Sequence, residues 1–206
     1  MKYIKTFEAQ RKEIPFIQSA KRGSNTAVIK FIKDGVDINT RSKIDGAERT
    51  ALMYSALNSF ISVVNTLIKA GANVNLQDKE GDTALMFAQT GKIIDALLDA
   101  GADVNIQDND GNTVIMRNFN YFVNRRDLLI NNLEKFLANG LNLDIRNNED
   151  QNFYDLIKYQ QEKNSHDEWH QIFLQNLNKL ENYMNERFPQ YKEEWELKQD
   201  VNKYNL

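Results

Sequence analysis

The chain has 206 residues, 41% of them hydrophobic, with a net charge of −3 and no cysteine. It is long enough for one domain or a short array with a real core, and it lacks the basic field that nucleic acid or an anionic membrane selects. Without cysteine, disulfides, thiolate nucleophiles and zinc-thiolate sites are excluded, and a reducing, cytoplasmic setting fits.

The opening "MKYIKTFEAQRKEIP" holds lysines but no apolar h-region and no small-residue cleavage site. It reads as an N-terminal extension over 1–15, with "YIKTF" sealing one end of the domain, rather than as a secretion signal. No window approaches the roughly 18 consecutive apolar residues of a membrane span.

From Phe16 the chain repeats itself. A degenerate copy, "FIQSAKRGSNTAVIKFIKDGVDIN", precedes "TALMYSALNSFISVVNTLIKAGANVN" from Thr50, "TALMFAQTGKIIDALLDAGADVN" from Thr83 and "TVIMRNFNYFVNRRDLLINNLEKFLANGLNLD" from Thr113. The Thr marks lie 33 and 30 residues apart, and Gly35, Gly71, Gly101 and Gly140 lie 36, 30 and 39 apart. A last fragment, "NEDQNFYDLI", closes the series.

Each unit has one physical grammar. Thr50, Thr83 and Thr113 are placed to cap the unpaired amides of a short first helix. A second helix follows, with one apolar stripe: Val63, Val64, Leu67 and Ile68, then Ile93, Ile94, Leu97 and Leu98, then Leu129, Ile130, Leu133, Phe136 and Leu137. Gly71, Gly101 and Gly140 stand just past these helices, where a left-handed residue closes them cheaply. The "VN-x-Q-D-x-x-G-x-T" stretch is an extended turn, or finger, that returns the chain to the next helix. No helix pair buries its own stripe, so stacking is obligatory. Length changes mark the loops: the unit from Thr83 lacks three residues near "AQTGK", that from Thr113 gains about six around "NYFVNRRD", and the finger "NTRSKIDGAERT" gains three.

"AGADVNIQDNDGNT" and "TALMFA" resemble the ankyrin repeat, over residues 16–157 in four copies and the closing fragment. The resemblance implies an all-α solenoid of helix-turn-helix repeats that binds a protein partner without catalysis. The chain departs from the family's Thr-Pro-Leu-His, having Thr-Ala-Leu-Met at Thr50–Met53 and Thr83–Met86, and Thr-Val-Ile-Met at Thr113–Met116. Losing Pro forfeits a preset φ, and losing His removes a link between neighbouring loops, so looser coupling between repeats is expected. Family partners are held by turn tips and exposed first-helix faces. That carries partner contact onto Arg49, Leu57 and Asn58, onto Lys79, Glu80 and Asp82, onto Asn109, Asp110 and Asn112, and onto Asn148, Glu149 and Gln151. As a set the fingers run from basic (Arg41, Lys43, Arg49) to acidic (Asp108, Asp110, Glu149, Asp150), which favours a partner with a basic segment opposite the later fingers.

Beyond 157 the repeats stop, and 158–206 is expected to be a helical capping extension. "HDEWHQIFLQNLNKLENYMNERF" sets Trp169, Ile172, Phe173, Leu177, Leu180, Met184 and Phe188 at helical spacing, and Pro189 ends the run. The alternative is self-association through Trp169, Phe173 and Leu177. The highly charged "QYKEEWELKQDVNKYNL" is either a second packed helix or a tail.

Catalytic motifs are missing. His166 and His170 in "HDEWH" share a helix face as a metal pair does, but Asp167 replaces the Glu of a zinc protease and no third ligand is evident, so they are only weak candidates for a metal-dependent alternative. "DKEGD" and "DNDGN" fail as calcium loops, because Leu76 and Ile106 stand where an acidic first ligand belongs. There is no phosphate-binding glycine loop and no nucleophile elbow. A non-enzyme without cofactor, monomeric, is the expectation. The abundance of Asn, Lys and Ile fits an AT-rich bacterial or viral genome.

Overall fold

Gly35, Gly71, Gly101 and Gly140 end four helices in the same way, each with φ between 76° and 87°. After the Gly71 helix, Gly71 N–H donates to the Ile68 carbonyl and Ala72 N–H to the Leu67 carbonyl. The same two bonds recur at Gly35, Gly101 and Gly140, so otherwise orphaned carbonyls are satisfied by a left-handed residue that costs glycine little. A short Asx turn comes after each. Asp37, Asn73, Asp103 and Asn142 accept, through Oδ1, the N–H two residues on, at 2.8–3.0 Å. This pair of devices is the recurring unit written in the repeat.

The computed structural model describes residues 2–42, 46–119, 126–163, 168–193 and 196, with side chains except at 2–11, 126–130, 160–163 and 168–177. Its helices are α1 (Lys2–Lys21), α2 (Asn25–Lys33), α3 (Ala51–Leu57), α4 (Ile61–Lys69), α5 (Gly91–Asp99), α6 (Val114–Arg117), α7 (Arg126–Ala138), α8 (Phe153–Lys163) and α9 (Glu168–Arg187). No strand occurs among the described residues; Gln77 and Thr83 form an isolated antiparallel bridge. The fold is all-α. It divides into two compact units, 1–109 and 110–206.

In the first unit α1 packs on α2 and α3, α3 on α4, and α4 on both α2 and α5. The predicted stripes face inward: Val63, Val64, Leu67 and Ile93 are 0% exposed, and Ile94 and Leu97 no more than 1%. Each such side chain contributes about 1.5–3 kcal/mol by leaving water. α1 runs unbroken through Pro15, so the expected extension and the first repeat share one helix.

The three Thr marks behave differently. Thr50 caps α3 as expected, its side chain accepting from Met53 N–H at 3.3 Å. Met53 closes the box in return, its Sδ accepting from Thr50 N–H at 3.3 Å. Thr113 precedes α6 without a side-chain cap bond. Thr83 heads no helix; residues 84–87 form a turn, with Met86 N–H bonded to the Thr83 carbonyl. The expected short helix is absent there for a reason of length. Ten positions lead from Thr50 to the N-cap Phe60, and only seven from Thr83 to the N-cap Thr90. Three residues are nearly one helical turn.

The second unit is built on α7, α8 and α9. Phe119 and Phe153 meet edge to face at 5.7 Å, while Leu133, Phe136, Ile157, Leu180 and Met184 are fully buried. α8 packs on α6 and α9. Lys158 Nζ lies 2.7 Å from Glu181 Oε1, and the Tyr154 hydroxyl donates to Asn185 Oδ1 at 2.9 Å. α8 begins with a reciprocal cap: Asn152 Oδ1 accepts from Asp155 N–H, and Asp155 Oδ2 from Asn152 N–H. A further helical turn begins at Pro189, over 189–193.

Candidate partner-binding surface

Neighbouring fingers are joined crosswise through their backbones. Asp78 Oδ1 accepts from Glu80 N–H at 2.9 Å and from Asp82 N–H at 3.0 Å, curling its finger around a buried carboxylate. Lys79 N–H then donates to the Ala47 carbonyl of the finger before, and Asn109 N–H to the Glu80 carbonyl, both at 2.9 Å. Asn109 Nδ2 adds a bond to the Lys79 carbonyl. The fingers lie so close that a Cβ on Gly81 would stand 2.7 Å from the Asn109 nitrogen. With backbone groups turned to each other, Lys79, Glu80 and Asn109 present exposed side chains.

Other members of the expected set are buried or bonded within the chain. Asp82 is 2% exposed and Asp108 7%, so neither belongs to the exposed row. Arg49 is also committed inward. Its Nε bonds Asp78 Oδ2 at 3.0 Å, and its guanidinium lies 4.5 Å from the centre of the Phe87 ring. Arg41 donates to the Gln77 carbonyl. Asn58 is exposed, and its Nδ2 donates to the Lys21 and Tyr54 carbonyls, tying α1 to α3; Leu57 is half-buried. Lys43 lies outside the described residues.

Links between loops run through asparagine. Asn39 Oδ1 accepts from Asn73 N–H at 2.9 Å, and Asn75 Oδ1 from Asp103 N–H at 2.8 Å. Asn75 Nδ2 also donates to the Gly101 carbonyl, and Gln77 Nε2 to the carbonyls of Gly81 and Gln107. These amides join each loop to the next.

In the second unit Asn148 N–H donates to the Asp110 carbonyl at 2.9 Å, the same rung. Asn147 takes the part of Asp78: its Oδ1 accepts from Glu149 and Gln151 N–H at 3.0 Å. Being an amide, it also donates to Asn112 Oδ1 at 3.2 Å. Beside this finger opens a groove of about 470 Å³ lined by Asp110, Asn112, Asn147, Asn148, Glu149, Gln151, Leu156 and Tyr159. Asp110, Asn148 and Glu149 are exposed; Asn112 and Gln151 are half-buried. Five of the expected contact residues therefore meet in one place. Asn147, Leu156 and Tyr159 were not expected there. The offset Asn147 shares with Asp78 and Asp108 in "RNNEDQN" marks the first; the other two sit on α8, beyond the turn.

The ankyrin-repeat family model matches residues 9–117 in three copies, 109 of the 206 residues. The chain belongs to the ankyrin-repeat family. Ankyrin repeats generally serve as protein–protein interaction modules. No curated protein sequence matches the chain significantly. The ankyrin match begins within α1 and ends at Arg117, so the unit from Thr113 and the closing fragment lie largely beyond it, although they repeat the glycine end, the Asx turn and the finger rung.

His166 lies outside the described residues, as does the side chain of His170. The side chains of Trp169, Phe173 and Leu177 do too, so the self-association seam falls there as well. Among the described residues no group of three His, Asp or Glu is placed to hold a metal ion, and no helix is long and apolar enough to cross a membrane.

Proposed function

We propose that this ankyrin-repeat protein is a non-catalytic binding module whose acidic groove in the second unit takes a basic segment of a partner protein. The observation that carries the reading is the grouping of Asp110 and Glu149 on one groove with the amides of Asn112, Asn148 and Gln151. Two carboxylates supply attraction and orientation, and the amides bond a peptide backbone. Leu156 and the exposed ring of Tyr159 offer contact to an aliphatic stem, and Tyr159 a π-face to a cation. Because the rung at Asn148 and the Asn147 turn hold the finger before a partner arrives, little ordering entropy is lost on binding.

Residues 16–157 act as the repeat array and 158–206 as its helical cap; Leu180 and Met184, buried and 0% exposed, support that use of α9. A monomer in the cytoplasm of a bacterial or viral system completes the reading.

The test is fluorescence anisotropy with a labelled peptide alternating lysine and leucine, on wild type and on Asp110→Lys/Glu149→Lys. Wild type binds with an affinity that falls with salt, and the double variant binds at least ten-fold more weakly with a shallower salt dependence. Equal binding by both proteins sinks the reading.

A further inference from the structure

We propose that a second pocket, between α1 and α3, binds a carboxylate-bearing segment of a partner protein, with Lys21 and Arg22 as its cations. The pocket, of about 390 Å³, is lined by Ile17, Gln18, Lys21, Arg22 and Tyr54. This site lies wholly in the first unit and does not depend on the acidic groove.

Three observations converge. The first is charge. Residues 1–42 carry nine Lys and Arg against four Asp and Glu, in a chain whose net charge is −3. Arg22 is exposed and makes no ion pair among the described residues.

The second is the silencing of the helix end. A helix C-terminus ordinarily repels anions through its unpaired carbonyls. Here all four are occupied: Gln18 O by Arg22 N–H, Ser19 O by Ser24 N–H, Ala20 O by Gly23 N–H, and Lys21 O by Asn58 Nδ2. The side-chain cations therefore set the local field.

The third is preorganisation. Lys21 Nζ is held 4.9 Å from the centre of the Tyr54 ring, and Tyr54 is 1% exposed. Asn58 bonds both the Lys21 and Tyr54 carbonyls, fixing α1 on α3. Gly23, at φ 73°, lets the chain turn directly against Phe60, where a Cβ would come within 2.7 Å of the ring.

The dimensions choose the ligand. A pocket of this size takes one or two side chains, and two cations match one or two carboxylates. Nucleic acid needs a groove that tracks several phosphates. Ile17 also lines the pocket, beside the two cations, and the recognised element is a short acidic segment with an aliphatic residue beside the acid.

The experiment titrates the full chain with a fluorescein-labelled peptide alternating glutamate and leucine. Saturable binding is expected, weakened at least five-fold by Arg22→Glu and at least ten-fold by Lys21→Glu/Arg22→Glu. Arg22→Glu is an exposed change and should leave thermal unfolding unaltered, so its effect reads binding rather than folding. Asp110→Lys/Glu149→Lys should bind the acidic peptide as wild type does. Absence of saturable binding overturns the proposal, as does an Arg22→Glu affinity equal to wild type. Saturation by a single-stranded oligonucleotide in place of the peptide overturns it too. Failure of the basic-peptide test leaves these outcomes intact, so the two sites are judged separately.

Discussion

Arg49 Nε stands 3.0 Å from Asp78 Oδ2, binding one finger to the next across 29 positions of sequence. The carboxylate is fully buried and also accepts two backbone amides, so it is satisfied from every side. Removing the guanidinium leaves a buried charge short of a partner. Arg49→Ala should lower stability by about 2 kcal/mol, after discounting for the 23% exposure of the arginine side chain. Arg49→Lys should recover only part, because an ammonium does not reproduce the guanidinium's contact over the Phe87 ring. Urea unfolding of the three proteins checks this; equal midpoints would contradict it.

Gly81 and Glu48 occupy the same finger position, two residues before Thr83 and Thr50, and both have positive φ, 82° and 58°. Substitution should act in opposite directions. Gly81→Ala adds left-handed strain of about 1–2 kcal/mol and a Cβ 2.7 Å from the Asn109 nitrogen, so a loss of at least about 2 kcal/mol is expected. Glu48→Gly relieves strain at some entropic cost and should be neutral or stabilising by up to about 1 kcal/mol. Thermal midpoints of the pair decide the point.

Asn75 joins two loops through both ends of one amide. Asn75→Ala should cost about 1–2 kcal/mol, and Asn75→Asp about half, since the acid keeps the acceptor for Asp103 N–H and loses the donor to Gly101. Amide hydrogen exchange should show the Asp103 N–H protected in Asn75→Asp and exposed in Asn75→Ala.

These contacts mark what a sequence reader sees and what stays hidden. Glycines at helix ends and the Asp/Asn turns are local: a positive φ or a two-residue Asx bond selects its residue type wherever it occurs, so Gly71, Gly101 and Gly140 were readable. The turn at 84–87 was less so, because threonine and an apolar run suggest a helix, and only the three missing residues forbid it. Burial of Asp78 and Asp82, and the pairing of Arg49 with Asp78, were not readable, since they depend on a neighbouring finger about thirty positions away. Exposed Lys79, Glu80, Asn109, Asp110, Asn148 and Glu149 follow from the opposite face of the same turns.

Tyr154 supplies a pH dependence. Burial, with Glu181 and Glu196 nearby, pushes its hydroxyl up from 10.0 to about 12. The folded protein thus keeps a proton that the unfolded chain releases near pH 10, and unfolding is favoured as pH rises from 10 to about 12. Stability from this group is complete below pH 10 and declines across that window. Tyr154→Phe should flatten the decline in melting temperature while costing the bond to Asn185; an unchanged slope would contradict the assignment.

The most direct test of the binding account is an NMR footprint. Isotope-labelled full-length protein is titrated with the lysine-leucine peptide, and amide shifts are followed residue by residue. The account predicts that the largest changes fall on Asp110, Asn112, Asn148, Glu149, Gln151 and Tyr159, with Glu134 and Lys135 of α7 unmoved. Shifts spread evenly over the helices, or centred on α7 with the groove silent, would contradict it.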